Sequence, residues 1–197
     1  MKVLTTIGFV LLTSMTGLAQ NPGFPQGPAV HPFRGSNSVV DNAGNLVAFD
    51  VGRSTTGVTV TGLQHSFYPP QTRVTVQRPG TTGNVQTVMY DNVALQVIGI
   101  GPSAIYAIAT VYTVSGTTAS STESLIAIKA GQTLPSAISG FPSFALTART
   151  QTKGDSSDYI ALFPQTAATT TTAATRTATV VHFDGNSFNP ISSGTLP

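Results

Sequence analysis

One phrase recurs along this chain and restricts it more than any other feature: an apolar run holding a small residue, a charged or amide residue at its end, then a glycine. Leu46-Val47-Ala48-Phe49-Asp50-Val51-Gly52 is one copy and Leu125-Ile126-Ala127-Ile128-Lys129-Ala130-Gly131 is the nearest second. Val74-Thr75-Val76-Gln77-Arg78-Pro79-Gly80 and Val180-Val181-His182-Phe183-Asp184-Gly185 follow it more loosely. Short runs rich in β-branched and aromatic residues that stop at a glycine are strand-and-turn units. Gly80, Gly131 and Gly185 stand 51 and 54 residues apart, within reach of a four-stranded repeat of about 40–50 residues once its loops lengthen. Gly52 stands only 28 residues before Gly80, so the first copy occupies a different place in the unit.

The rest of the chain agrees with a sheet-built fold. Ser38-Val39-Val40, a turn over Asp41 to Asn45, and Leu46 to Phe49 read as strand, turn, strand, because Asp and Asn bond their own backbone and Gly44 supplies positive φ. The same layout returns at Leu95 to Ile100, Gly101-Pro102-Ser103 and Ala104 to Val114, and again at Ala137-Ile138, Ser139 to Pro142 and Ser143 to Arg149. Further strands are expected at Val58 to Leu63, Arg73 to Gln77, Val85 to Tyr90, Ser124 to Lys129, Tyr159 to Phe163 and Thr177 to Phe183. No window outside the N-terminus carries a 3.6-residue apolar period in good helix formers. The fold class is therefore all-β with up to twelve strands: an incomplete or open propeller-like array of antiparallel hairpin sheets, with a β-sandwich as the alternative.

Residues 1–19 read as a signal peptide: Lys2, an apolar run from Val3 to Leu12, and Gly17-Leu18-Ala19 as a small-x-small cleavage pattern, with Gln20 as the mature start. That run is too short to remain as a spanning helix, and no transmembrane segment is expected after its removal. The chain has no cysteine. Export without disulfides requires a real apolar core, and the same absence removes thiol catalysis, thiolate zinc and iron–sulfur chemistry. The expected localisation is secreted, extracellular or periplasmic. Only 8% of residues are Asp, Glu, Lys or Arg, against about 25% in ordinary domains. No basic run exists, which argues against nucleic acid as a partner.

Between signal and sheets, residues 20–37 hold Pro22, Pro25, Pro28 and Pro32. That density forbids a helix or an interior strand, so an extended lead-in is expected. Residues 38–197 form one β-rich domain, interrupted by Ser/Thr-rich loops expected at 115–123 and 166–177.

With these residues in view, the Asp41-to-Asp50 stretch and Ser124-to-Gly131 resemble the strand-and-turn core of secreted β-propeller repeats of the quinoprotein-like and NHL-like kinds. The resemblance implies a glycine before an apolar strand, a small residue within it and an Asp at its end. Lys129 stands where Asp would be expected, and the tryptophan that docks quinoprotein-like blades has no counterpart, because the chain has no Trp. The resemblance implies ligand binding at a central face or a structural role and does not by itself imply a quinone; no cofactor is expected. About three units fit the length, fewer than the four or more blades of a closed propeller. Either the chain is a truncated member, or it pairs with another copy, or the fold is an open sheet or sandwich; the stretch Gly194-Thr195-Leu196-Pro197 is read as ending after a turn, without a closing strand.

Candidate chemistry is sparse. His31, His65 and His182 have no metal-ligand spacing. His182 and Asp184 lie two apart, on one face if the strand continues, which would orient an imidazole; a polar pair at a strand end is the plainer reading. Asp155-Ser156-Ser157-Asp158 lacks the oxygen ligands and Gly of a calcium loop. No G-x-S-x-G turn occurs. The better binding clue is His65-Ser66-Phe67-Tyr68-Pro69-Pro70 with Arg73 after it: exposed, His65, Phe67, Tyr68 and Arg73 would stack on sugar or peptide, and buried, the rings anchor a long connection. The expected function is a non-catalytic exported structural or binding protein of the cell envelope or extracellular space. Its expected partners are a second copy or another envelope protein, because an incomplete array leaves an apolar edge to cover. The alternative is a carbohydrate- or peptide-binding module using residues 65–70.

Overall fold

The computed structural model describes residues 35–80, 85–146, 150–154, 158–164 and 176–196. Twelve strands fall into three four-stranded antiparallel sheets, each made from one contiguous stretch. The first sheet holds β1 (Gly35–Val40), β2 (Leu46–Arg53), β3 (Pro70–Gln77) and β4 (Val85–Asp91). The second holds β5 (Val93–Ile100), β6 (Ile105–Ser115), β7 (Thr118–Ile128) and β8 (Ser143–Leu146), and the third β9 (Thr150–Gly154), β10 (Tyr159–Pro164), β11 (Arg176–Phe183) and β12 (Phe188–Leu196). Strands follow one another in sheet order in all three. The all-β class with antiparallel hairpin sheets is thus as expected, and the sheets do not close into a barrel.

Burial explains why the strands read as they do. In the first sheet Val47, Phe49 and Val51 of β2 and Thr72, Val74 and Val76 of β3 are buried while their alternate neighbours face outward, the period-two pattern of a sheet covered on one side. The middle sheet is covered on both. Ile105, Ala107 and Ala109 with Ile126 and Ile128 join the first sheet's core, whereas Ala104, Tyr106, Leu125 and Ala127 join Ile160, Leu162, Val181 and Phe183 of the third. A strand buried on both faces needs no polar alternation, and Ile105 to Ala109 and Leu125 to Ile128 are accordingly continuous apolar runs.

The three glycines that set the repeat occupy equivalent places. Gly80, Gly131 and Gly185 follow the third strand of their sheets, and Gly80 and Gly185 have φ of 80° and 96°. Gly52 lies within a second strand, as the spacing required.

Four expectations are corrected. Residues 118–123 are not loop: they pair with β6 as far as Ser115 opposite Thr118, and only Gly116 (φ 56°) and Thr117 make the turn. Ser and Thr form a strand here because a polar, two-stranded arm needs backbone pairing and no apolar face. The C-terminal stretch does not end after a turn: β12 pairs with β11 from Phe188 to Leu196, and an irregularity in the pairing at Val180/Val181 lies where Pro190 sits on this edge strand. Val58 to Leu63 is not a regular strand and keeps one bridge, Val58 to Phe67. Ala137-Ile138 opens a 3-10 helix, Ile138–Gly140. The signal peptide, residues 20–34 of the lead-in and residues 166–175 of the Thr-rich loop lie outside the described residues; Gly35–Asn37 belong to β1, and Arg176 and Thr177 open β11.

A single residue, Asn92, joins the first sheet to the second. Its φ is 58° and its carbonyl accepts a 2.8 Å bond from the Tyr112 backbone N–H. Asparagine tolerates the left-handed region and β-branched residues do not. Asn92→Ile should therefore cost about 1–3 kcal/mol and lower the thermal midpoint, with Asn92→Gly near wild type; equal midpoints for the two variants would contradict a strained link.

Candidate functional site

Strand order gathers the polar turns at one end of the sheets. The β1–β2 turn is built by Asp41, whose carboxylate accepts from the backbone N–H of Ala43 (2.9 Å) and Asn45 (2.8 Å) and from the Asn45 amide (2.7 Å). Beside it, the Asn42 amide donates to Gly101 O in the β5–β6 turn at 2.9 Å. On the far side of that turn, Ser103 donates through its backbone N–H (3.1 Å) and hydroxyl (2.6 Å) to Asp158, which precedes β10, and Tyr106 donates its hydroxyl to the same carboxylate. The long β7–β8 connection is fastened in the same way: Tyr90 donates to Pro135 O at 2.7 Å, Gln86 accepts from Leu134 N–H at 2.9 Å, and Arg78 donates to Gln132 O at 2.9 Å. Apart from the bonds of Asp41 within its own turn, these ties run between neighbouring sheets.

A cavity of about 260 Å³ opens between these turns, lined by Asp41, Asn42, Ser103, Lys129 and Gln132 with backbone of Gly101 and Gly131. Lys129 places its ammonium 5.8 Å from the centre of the Phe183 ring and 3.4 Å from the Asn186 side-chain oxygen. That sets one cation in a wall that holds one carboxylate, Asp41, and two amides, Asn42 and Gln132, among Ala43, Pro102, Ala104 and Ala130. Among the described residues no cluster of three His, Asp or Glu could hold a metal.

Titration behaviour follows from these bonds. Partial burial works to raise Asp158, but hydrogen bonds from Ser103 and Tyr106 together with the charge of His182 outweigh it and hold the carboxyl below its usual 3.8. Asp184, turned back into its own β11–β12 turn, receives the backbone N–H groups of Ser187 and Asn186 and then the Asn189 amide, which lower it to about 2. Burial raises Tyr90 to about 12, and burial followed by its bond to Asp158 raises Tyr106 further. Depressed carboxyls contribute stability above their unfolded pKa of about 3.9 and lose it as pH falls through the folded value. The urea midpoint should thus stay level from pH 7 to about 5 and fall between about 4 and 2, less steeply in Asp158→Asn. An unchanged acid limb in that variant would contradict the assignment.

The aromatic loop lies at the opposite end. Ser54 to Pro69 is an excursion between β2 and β3, held by the paired Val58–Phe67 backbone bonds at 2.7 Å and by Thr61 N–H on Thr117 O at 2.7 Å. The bridge turns the Phe67 ring onto Tyr112, 5.8 Å between centroids, and leaves it half-buried. His65 is exposed and Tyr68 is 44% exposed. The two rings do not form one flat patch. Arg73 lies on the outer face of β3, in register with Asp50 and Met89.

No family model, no curated protein and no solved structure matches the chain. Geometry is therefore the ground for any functional reading. It also separates one suggested pair: Asp184 is spent on its own turn, and His182 stacks on Tyr159 with ring centroids 4.5 Å apart. The Ser103–Tyr106–Asp158 cluster escaped sequence reasoning. Its one signal is a tyrosine inside an apolar run, whose buried hydroxyl must find an acceptor; nothing in the spacing says that the acceptor lies 52 residues on.

Proposed function

We propose that this is an exported, non-catalytic structural or binding protein of the cell envelope or extracellular space, and that it works self-associated. The observation that carries this reading is the employment of the acids. Asp41, Asp158 and Asp184, the described acids of the turn end with side-chain bonds, each accept three or more hydrogen bonds that shape a turn or fasten two sheets. Groups held this way serve the scaffold. The likeness to secreted β-propeller repeats agrees with a structural or ligand-presenting role and extends to the strand-and-turn units alone.

Light scattering on the chain beginning at Gln20 tests the reading: a mass above that of one chain supports self-association, and one chain at all micromolar concentrations removes it. Recovery of a protein beginning at Gln20 outside the cytoplasm tests export. A second reading, a carbohydrate- or peptide-binding module, is favoured by the exposed Tyr68 on a loop that Phe67 anchors. Glycan-array binding lost in Tyr68→Ala supports it, and an empty array and peptide library remove it.

A further inference from the structure

Two side chains that line the turn-end cavity, Lys129 and Gln132, leave most of their hydrogen-bonding capacity unused. Lys129 is half-buried at the end of the apolar run Leu125 to Ile128. Among the described residues its ammonium has one acceptor, Asn186 Oδ1 at 3.4 Å, and no carboxylate partner. That bond is long and takes up one of three donors. A half-buried cation without a counter-ion is costly, and an anion beside it removes the cost. The Gln132 side-chain amide bonds to no described residue, although its backbone is fixed on both sides: its N–H donates to Lys129 O at 3.0 Å and its carbonyl accepts from Arg78 at 2.9 Å. The other polar side chains of this wall are already employed. Asn42 is held on Gly101 O, Ser103 on Asp158 and Asp41 on its own turn. The wall is therefore fixed before any ligand arrives, which lowers the cost of binding one.

We infer that this cavity binds a hydroxylated monocarboxylate of the size of one sugar ring, a hexuronate, with its carboxylate on Lys129 and a hydroxyl on Gln132. Three observations select that chemistry. The cation calls for an anion, and its half-buried place strengthens the pair over one in open water. A single charge suits the site better than two, because Asp41 lines the same cavity and would repel the second charge of a dianion such as phosphate. An amide both donates and accepts, as a hydroxyl does, while Ala43, Pro102 and Ala130 offer apolar wall to the C–H groups of a ring. The volume of about 260 Å³ lies just below the roughly 300–1,000 Å³ of small-molecule pockets, which fits one ring and not a longer ligand. The site is separate from the aromatic loop, which lies at the other end of the sheets, so the two stand or fall independently.

Titration of the isotope-labelled protein with sodium glucuronate, followed through its backbone amide signals, tests the inference. The signals of Gly101, Gly131 and Gln132 should move, with a dissociation constant on the order of 1 mM, as about a dozen heavy atoms at ordinary ligand efficiency give. Lys129→Gln should weaken binding about tenfold or more, with its thermal midpoint and amide spectrum checked for an intact fold. Gln132→Ala, an exposed position, should weaken it less and serves if the lysine variant does not fold. Glucuronamide, the uncharged isostere, should bind wild type about tenfold more weakly than glucuronate, and Tyr68→Ala should leave the constant unchanged. No movement at concentrations well above about 1 mM overturns the site. Equal binding of glucuronamide, or unchanged binding in Lys129→Gln, overturns the role of the cation. Tighter binding of inorganic phosphate overturns the hydroxy-carboxylate assignment, and loss of binding in Tyr68→Ala places the ligand on the aromatic loop and overturns the cavity.

Discussion

Tyr106→Ala should remove about 3–5 kcal/mol of stability, a large part of the 5–15 kcal/mol of an ordinary domain. Tyr106 is fully buried between the middle and third sheets, its ring edge-on to Phe183 at 5.9 Å and Phe188 at 6.1 Å, and its hydroxyl reaches Asp158. Tyr106→Phe separates the two contributions. It keeps the ring and loses one hydrogen bond to a charged group, worth about 1.5–3 kcal/mol. Urea midpoints of the two variants measure the difference, and a phenylalanine variant as unstable as the alanine one would show that the Asp158 bond, not ring packing, holds the two sheets together.

Thr72→Val is the second substitution expected to act strongly although it changes almost no volume. Thr72 is fully buried; its hydroxyl donates to Val93 O at 2.8 Å and accepts from Leu95 N–H at 3.3 Å. One side chain on β3 therefore serves two backbone groups of β5, beside the one-residue link. Valine fills the space and leaves both buried groups without that partner, at about 1–3 kcal/mol each, so the loss should reach about 2–6 kcal/mol. Thr72→Ser, which keeps the hydroxyl, should fall well short of that. A valine variant as stable as wild type would mean that Val93 and Leu95 find other partners.

The sequence made the strands legible where one periodicity dominates. Alternation in β2 and β3, and the unbroken apolar runs of β6 and β7, follow from how many faces are covered, and burial is written directly in side-chain polarity. Thr118 to Glu123 is polar like a loop yet forms a strand, because an exposed arm asks of its residues only that they pair. Phe188 to Leu196 was missed because Pro190 and Gly194 suppress strand propensity, which an edge strand tolerates. The site was less legible. Asp41 announces its turn through Gly44 and Asn45, all within five residues, but Asp158 takes its meaning from Ser103 and Tyr106, which only the packing of two sheets brings near. The exposure of Tyr68 with the inward turn of Phe67 depends likewise on Tyr112, a neighbour that no local pattern specifies.

Each sheet is closed over one uninterrupted piece of chain, and this bears on how the protein reaches its folded state. Among the described residues every ladder joins strands that are consecutive in the chain. Pairing therefore demands closure only of the loop between neighbours, the widest being Ser54 to Pro69 and the β7–β8 connection. Distant strand pairing, the slow step of many all-β proteins, is not required within these sheets. Sheets can form in the order in which the chain emerges from a ribosome or a translocation pore. The middle sheet is the exception, since both its faces are apolar and only its neighbours cover them. Until the third sheet arrives, Tyr106, Leu125 and Ala127 face water, and that interval is where a chaperone would be needed most.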